Sequence, residues 1–152
     1  MIIEQLSVFS ENKAGMLSDI TSIIAEAGID IEALTIADTA EFGILRCIVD
    51  SPKKALSVLK LGGFVASLTP VIALRMDDTP GSLAKICKTL ADADISIEYL
   101  YACVTREADS AFVVLRVEDE EETVAVLTKN GYEAYKPNAG RAGAPRPEKE
   151  VE

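Results

Sequence analysis

Two short segments carry the residues best suited to chemistry: Asn12-Lys13-Ala14-Gly15-Met16-Leu17 and, 66 residues later, Asp78-Thr79-Pro80-Gly81-Ser82-Leu83. Each lies between an alternating apolar stretch and an amphipathic run. A glycine at a strand-to-helix junction permits a tight turn or a close approach of backbone or ligand. The helix that follows presents unpaired N–H groups and a partial positive charge, which together receive a small carboxylate. Two uses of such a junction are open: it receives an anion, or it only turns the chain and anchors Leu17 and Leu83 in the core.

The echo extends beyond the loops. Counting Gly15/Gly81 and Leu17/Leu83, it includes Ile20/Ile86, Ala25/Ala91, Ala27/Ala93, Ile29/Ile95, Ile31/Ile97, Glu32/Glu98 and Leu34/Leu100, nine identities in one register. A period this long means two copies of a small domain rather than a solenoid. The copies span residues 1–69 and 70–136, and 137–152 is a tail too rich in Pro, Gly, Ala and charge to order itself. Domains this small are marginal alone, so they are expected to pack on each other or on a second chain.

Within each copy the order is β-α-β-β-α-β. Strands are expected over Ile3–Ser10, Ile29–Ile36, Phe42–Val49 and Phe64–Leu68, with a turn at Thr39-Ala40-Glu41. In the second strand Ile29, Ile31, Ala33 and Thr35 share one face, with Leu34 and Ile36 on the other. Leu17, Ile20, Ile23, Ile24 and Ala27 fall at helical spacing up to Gly28, and Asp50-Ser51-Pro52 opens a second helix that ends at Gly62-Gly63. Copy two reads Val71–Met76, Ser82–Ala93, Ile95–Val104, Ala111–Val117, Glu120–Lys129 and Tyr132–Lys136. Its hairpin is two residues longer, so the register becomes 68 from Val49/Val117 onward. The fold class is α+β: two ferredoxin-like units, each an antiparallel sheet with helices on one face.

The formal net charge of −10 argues against nucleic acid and anionic membranes, which need a cationic face. An RNA-binding version of this fold also needs exposed aromatics on its central strands, and strands one and three are read as offering none. No histidine is present, removing the commonest general base and metal ligand, and no nucleophile–base pair is visible, so catalysis is not expected. Arg46 and Arg116 are expected to emerge at the solvent face of the third strands. Cys47, Cys87 and Cys103 show no CxxC spacing and read as reduced thiols. Met1-Ile2-Ile3 meets Glu4 at once and no apolar run approaches membrane length, so a cytoplasmic protein without cofactors or metal is expected.

This order, with Asn/Asp-x-Ala/Pro-Gly-x-Leu opening helix one and Ala25-Glu26-Ala27-Gly28-Ile29-Asp30-Ile31 closing it, resembles the ACT domain family. The likeness covers about residues 3–136, and copy two departs by having Asp94 where copy one has Gly28. The resemblance implies a regulatory module that binds a free amino acid where two domains meet. It implies ligand loops at Asn12, Ala14, Gly15, Met16 and Leu17, and at Asp78, Pro80, Gly81, Ser82 and Leu83. Asp30 and Ser96 supply the opposing polar groups, and Ile36, Ala37, Ala102 and Cys103 the selective wall. If the copies pair with each other, Asn12 faces Ser96 and Asp78 faces Asp30. Two carboxylates repel a third, so the Asn12 site is expected to be the better one.

The family's usual arrangement joins two sheets through their second strands. That would place strand four of one copy about 29 Å from strand one of the other, whereas Thr69-Pro70 spans roughly 10 Å. Two solutions are expected: a hairpin of Phe64–Leu68 with Val71–Met76, exchanging fourth strands, or pairing between chains, with a homodimer favoured. The alternative to a sensor is a ligand-free regulatory subunit that binds a metabolic enzyme.

Overall fold

The computed structural model describes residues 1–38, 42–105 and 109–137. The expected Thr39–Glu41 turn and the tail from residue 138 lie outside these. The elements run β1 (Ile2–Glu11), α1 (Met16–Glu26), β2 (Ile31–Asp38), β3 (Phe42–Val49), α2 (Pro52–Leu61), β4 (Val65–Asp77), α3 (Ser82–Asp92), β5 (Ile97–Val104), β6 (Ser110–Val117) and α4 (Glu120–Lys129). They form two ferredoxin-like units on one antiparallel sheet ordered β2-β3-β1-β4-β6-β5.

The helix boundaries follow local chemistry. Pro52 occupies the first turn of α2, where its missing N–H leaves no bond unmade, although Ser51 makes no side-chain cap bond. Asp119 caps α4 by accepting from the Glu122 N–H at 2.8 Å. Asp94 adopts φ 58° where the first copy has Gly28 at 69°. An aspartate tolerates this left-handed conformation better than most residues, so the departure leaves the turn intact.

The join between the copies corrects the sequence reading. Phe64–Leu68 and Val71–Met76 do not form a hairpin; most of both lies in the single 13-residue strand β4, running straight through Thr69-Pro70. Residues 65–72 pair with β1, and residues 72–77 pair with β6 on the other side. Copy one's fourth strand therefore becomes copy two's first, and the reach problem disappears. Proline is tolerated there because the Pro70 carbonyl faces the β6 side, accepting from Arg116 Nη1 at 2.9 Å. Its nitrogen faces the same way, so the ladder to β1 loses no donor. Copy two's expected last strand is reduced to one bridge, Leu74 with Ala134, flanked by Arg75 N–H to Glu133 O and Tyr135 N–H to Ala73 O.

Alternation along the strands sorts side chains into three cores. Leu6, Val8, Leu45 and Cys47 pack under α1 and α2 with Ile20, Ile24 and Leu59. Ile72, Leu74, Val113 and Leu115 pack under α3 and α4 with Ile86, Leu90 and Leu127. The third core, Ala33, Ile48, Val71, Phe112 and Val114, lies on the helix-free faces. These residues are buried because the two halves of the sheet face each other. Gln5 of β1 bonds Tyr99 and Tyr101 of β5, and the Tyr135 hydroxyl donates to Glu32 Oε2 of β2 at 2.6 Å. The result is four layers: helices, sheet, sheet, helices. An irregularity between Ile31 and Ala33 puts these two residues in different cores, which breaks the continuous alternation expected for β2.

Face-to-face packing also relocates both strand-three arginines. The Arg46 guanidinium lies over the Tyr99 ring, 3.9 Å from its centroid, rather than in solvent. Arg116 is held by the Pro70 carbonyl and by ion pairs with Glu120 and, at 3.7 Å, Glu98. Where the second half does not reach, the helix-free face shows what the sequence reading missed. Phe9 and Phe42 stack at 5.5 Å and remain 48% and 44% exposed, so β1 and β3 do carry an exposed aromatic pair.

All three cysteines are free. Burial pushes the Cys47 thiol up from 9.0 to about 12. The native thiol therefore stays protonated while the unfolded one ionises, so stability is expected to fall as pH rises between these values. The slope is about 1.4 kcal/mol per pH unit for this one group. Denaturant titrations across that window should show a shallower decline for Cys47→Ala than for the parent chain; parallel curves would count against it.

Candidate functional site

The glycine loops open α1 and α3. Gly15 and Gly81 are the N-cap residues, at φ 92° and 93°, and neither helix has a side-chain cap. A Cβ built on either glycine meets nothing within 4 Å. The glycines are thus required by the left-handed turn, not by close approach of another backbone. No side chain caps either start, as at α2, and the first N–H of each, Met16 and Ser82, donates to the Lys13 and Thr79 carbonyls at 3.3 and 3.2 Å, whereas α4 carries a side-chain cap.

Around the first loop, Asn12, Met16, Leu17 and Ile36 line a cleft of about 70 Å³ together with Glu11 and Lys13. Ala14 and Gly15 lie exposed beside it. Leu17 is 42% exposed and so does not anchor the core, whereas Leu83 packs against the second core. Around the second loop, Asp78 donates its N–H to the Asp109 carbonyl at 3.0 Å and Pro80 is exposed. The Ser82 hydroxyl meets Thr79 Oγ1 at 2.9 Å. Ser82 also lines a larger cleft of about 380 Å³ with Arg75, Asp77, Lys85, Tyr132 and Glu133.

The opposing residues lie elsewhere. Asp30 precedes Ile31, which pairs with Val49, whereas the Asn12 loop follows Glu11, which pairs with Phe42 at the other end of β3. Ser96 lines a groove of about 410 Å³ with Asp94, Glu118, Asp119 and Glu122. Ala102 and Ala37 are exposed on the two outermost strands of the sheet. Cys103 belongs to the core between the sheets, and burial pushes its thiol up.

The two loops themselves are far apart. Phe9, just before loop one, pairs with Val65 at the start of β4, and loop two follows Asp77 at its end. Twelve residues of extended strand separate them, roughly 40 Å. Among the described residues no group of three or more His, Cys, Asp or Glu side chains could hold a metal ion. No described helix is long and apolar enough to cross a membrane.

Arg75, Lys85, Tyr132 and Glu133 are not identities between the copies, so the repeat does not single them out. The signal for them was a difference: Asp19 in copy one becomes Lys85 in copy two.

Comparison with known proteins agrees with this architecture. The family model for an ACT domain pair matches residues 1–137. The solved structure of protein BT0572 from Bacteroides thetaiotaomicron is 36% identical over 89% of this chain and 92% of that one, with a TM-score of 0.83. The ligand-free regulatory subunit of aspartate kinase from Thermus thermophilus shares the fold at 17% identity, covering 86% of this chain and 97% of that one, with a TM-score of 0.62. The corresponding subunit from Thermus flavus, at 16% identity over 85% and 94%, gives 0.58. No curated protein sequence matches.

Proposed function

Because the chain belongs to the ACT domain family as a tandem pair, we propose that it is a non-enzymatic sensor that binds a free amino acid and regulates amino-acid metabolism. The observation that carries this reading is the matched pair of left-handed glycine N-caps, Gly15 and Gly81, each opening a helix from an exposed loop. The free N–H groups of an exposed helix start bind water or an anion, and an α-carboxylate fits the exposed loop. On this reading Asn12 and its loop bind in copy one, and Asp78 and Ser82 in copy two. Asp30 and Ser96 would act at contacts with a second copy of the chain. The regulatory subunits of aspartate kinase that share the fold lend support to an enzyme partner, and a cytoplasmic homodimer is the assembly proposed. Among the described residues the outer strands β2 and β5 each pair with a neighbouring strand on one side only, which leaves the other side for such contacts.

A second reading has its own observation. The exposed Phe9–Phe42 stack suits a protein partner, as a ligand-free interaction subunit would require. A thermal-shift screen of the standard amino acids separates the two. A rise of several degrees with one or two of them supports the sensor, since a ligand of the native state stabilises it. A flat profile at millimolar ligand supports the interaction subunit.

A further inference from the structure

The helices of the two copies are oppositely charged at equivalent positions. α1 carries Asp19 and Glu26 and no cation, whereas its counterpart α3 carries Lys85 and Lys88 against Asp92. α2 carries Lys53, Lys54 and Lys60 and no acid, whereas its counterpart α4 carries Glu120, Glu121 and Glu122 against Lys129. The helix charges are therefore −2 and +3 in copy one, and +1 and −2 in copy two. Three of the differences are outright reversals: Asp19/Lys85 at the 66-residue register, and Lys53/Glu121 and Lys54/Glu122 at the 68-residue register. All six of these residues are exposed.

Helix stability does not account for the cations. An acid in the first turn complements the positive end of the dipole, as Asp19 does in α1 and the three glutamates do in α4. Lys53, Lys54 and Lys85 stand at the same end of α2 and α3, where a like charge is unfavourable. Neighbours in the chain do not neutralise them either. Among the described residues Asp19, Lys53, Lys85 and Glu121 form no ion pair, and Lys54 bonds the Ala27 carbonyl. Leu61, at the end of α2, is 88% exposed and adds apolar surface that the chain itself leaves open.

The four layers put α1 and α2 on one outer surface and α3 and α4 on the opposite one. The complementary charges thus cannot meet within one chain. They meet when the α1–α2 layer of one chain lies on the α3–α4 layer of the next. Only one alignment is attractive, with α1 on the next chain's α3 and α2 on its α4. The crossed alignment sets like charge against like.

We infer that these two helix layers form a head-to-tail docking surface whose occupant is a second copy of this chain. The two layers are different surfaces, so the contact does not close on itself and extends into open strings. Each layer is about 16 Å by 20 Å. That is small for a stable interface, so the contact is weak and rests on its charges. It uses neither the glycine loops nor the strand edges, and its failure would leave the sensor reading untouched.

Sedimentation velocity of the full chain, from about 10 µM to 1 mM, tests it. The average mass should rise with concentration past that of a dimer, and should fall when salt is added. The direction of the salt effect is diagnostic. Chains of net charge −10 repel one another, so association without charge pairing would strengthen as salt screens that repulsion. Lys53→Glu with Lys54→Glu should weaken association by about tenfold, and so should Glu121→Lys with Glu122→Lys. Each pair of reversals shifts the net charge by four, to −14 and to −6, so an effect of net charge alone would move them in opposite directions. All four changes in one chain restore complementarity and should restore association. Acids in the first turn favour the α2 dipole, so the lysine variant keeps its fold and carries the test even where the glutamate variant melts early. A chain that stays monomeric, a dimer indifferent to both variants, or association that grows with salt overturns the proposal.

Discussion

Gln5→Ala is expected to destabilise the chain by about 3–4 kcal/mol, an effect as large as removing a core leucine. Gln5 is fully buried at the centre of the sheet–sheet contact. Its Nε2 donates to Tyr99 Oη at 2.9 Å and to Ser7 Oγ at 3.2 Å, and its Oε1 accepts from Tyr101 at 2.7 Å. Ser7 in turn meets Thr69 at 3.0 Å, and Arg46 lies on the Tyr99 ring. Truncation leaves a void and strands two tyrosine hydroxyls that β5 presents from the opposite layer. Each buried group left without a partner costs about 1–3 kcal/mol. Gln5→Leu fills the void but keeps the orphans, so it should recover only part of the loss. Adding Tyr99→Phe and Tyr101→Phe to Gln5→Leu should recover more, because the two stranded hydroxyls are then gone and Ser7 keeps Thr69 as its partner. Urea denaturation of this series measures the coupling. A loss under about 0.5 kcal/mol for Gln5→Ala would mean that the network is solvated and does not hold the halves together.

Phe112→Ala should be comparably severe, at about 3–5 kcal/mol. The ring is 2% exposed and stacks on Tyr135 at 4.0 Å, nearly parallel. Tyr135 follows the last bridge of copy two and also donates to Glu32 of copy one, and burial together with that bond keeps its hydroxyl protonated well above the ordinary tyrosine range. Losing the Phe112 ring therefore removes core volume and loosens a link between the copies. The chain has no tryptophan and four tyrosines, so tyrosine fluorescence reports the second effect directly. Phe9→Ala is the matched comparison: its ring is half exposed, and its loss should cost far less than that of Phe112. Equal losses at the two positions would contradict the burial argument.

Much of the fold was legible in residues 1–136. The alternation of Leu6 with Val8, the helical spacing of Ile20 with Ile24, and the 66-residue echo suffice for two β-α-β-β-α-β units, because local periodicity and turn chemistry decide such elements. The glycine turns at residues 15 and 81 were legible as strand-to-helix junctions, while their left-handed conformation is seen only in the structure. β4 was not. Thr69-Pro70 reads as a break between strands, and only the neighbours on each side show that the missing N–H falls where no ladder bond is needed.

The faces of the strands show the same division. Gln5, Arg46 and Tyr99 occupy positions that alternate with the helix-facing core, so a single sheet would leave them in water. They are interior because a second sheet covers them, and that depends on how the halves meet, which no strand encodes alone. The sequence by itself determined the duplication, the order of elements, the two glycine turns and the residues that differ between equivalent positions. The tertiary structure decided that the copies share one strand and that the loops lie roughly 40 Å apart along it. It also decided that the cleft beside Lys85 is larger than the one beside Asn12. The physical reason is that periodicity is a property of neighbours along the chain. Burial of a face and the opening of a cleft belong to segments that meet only after folding.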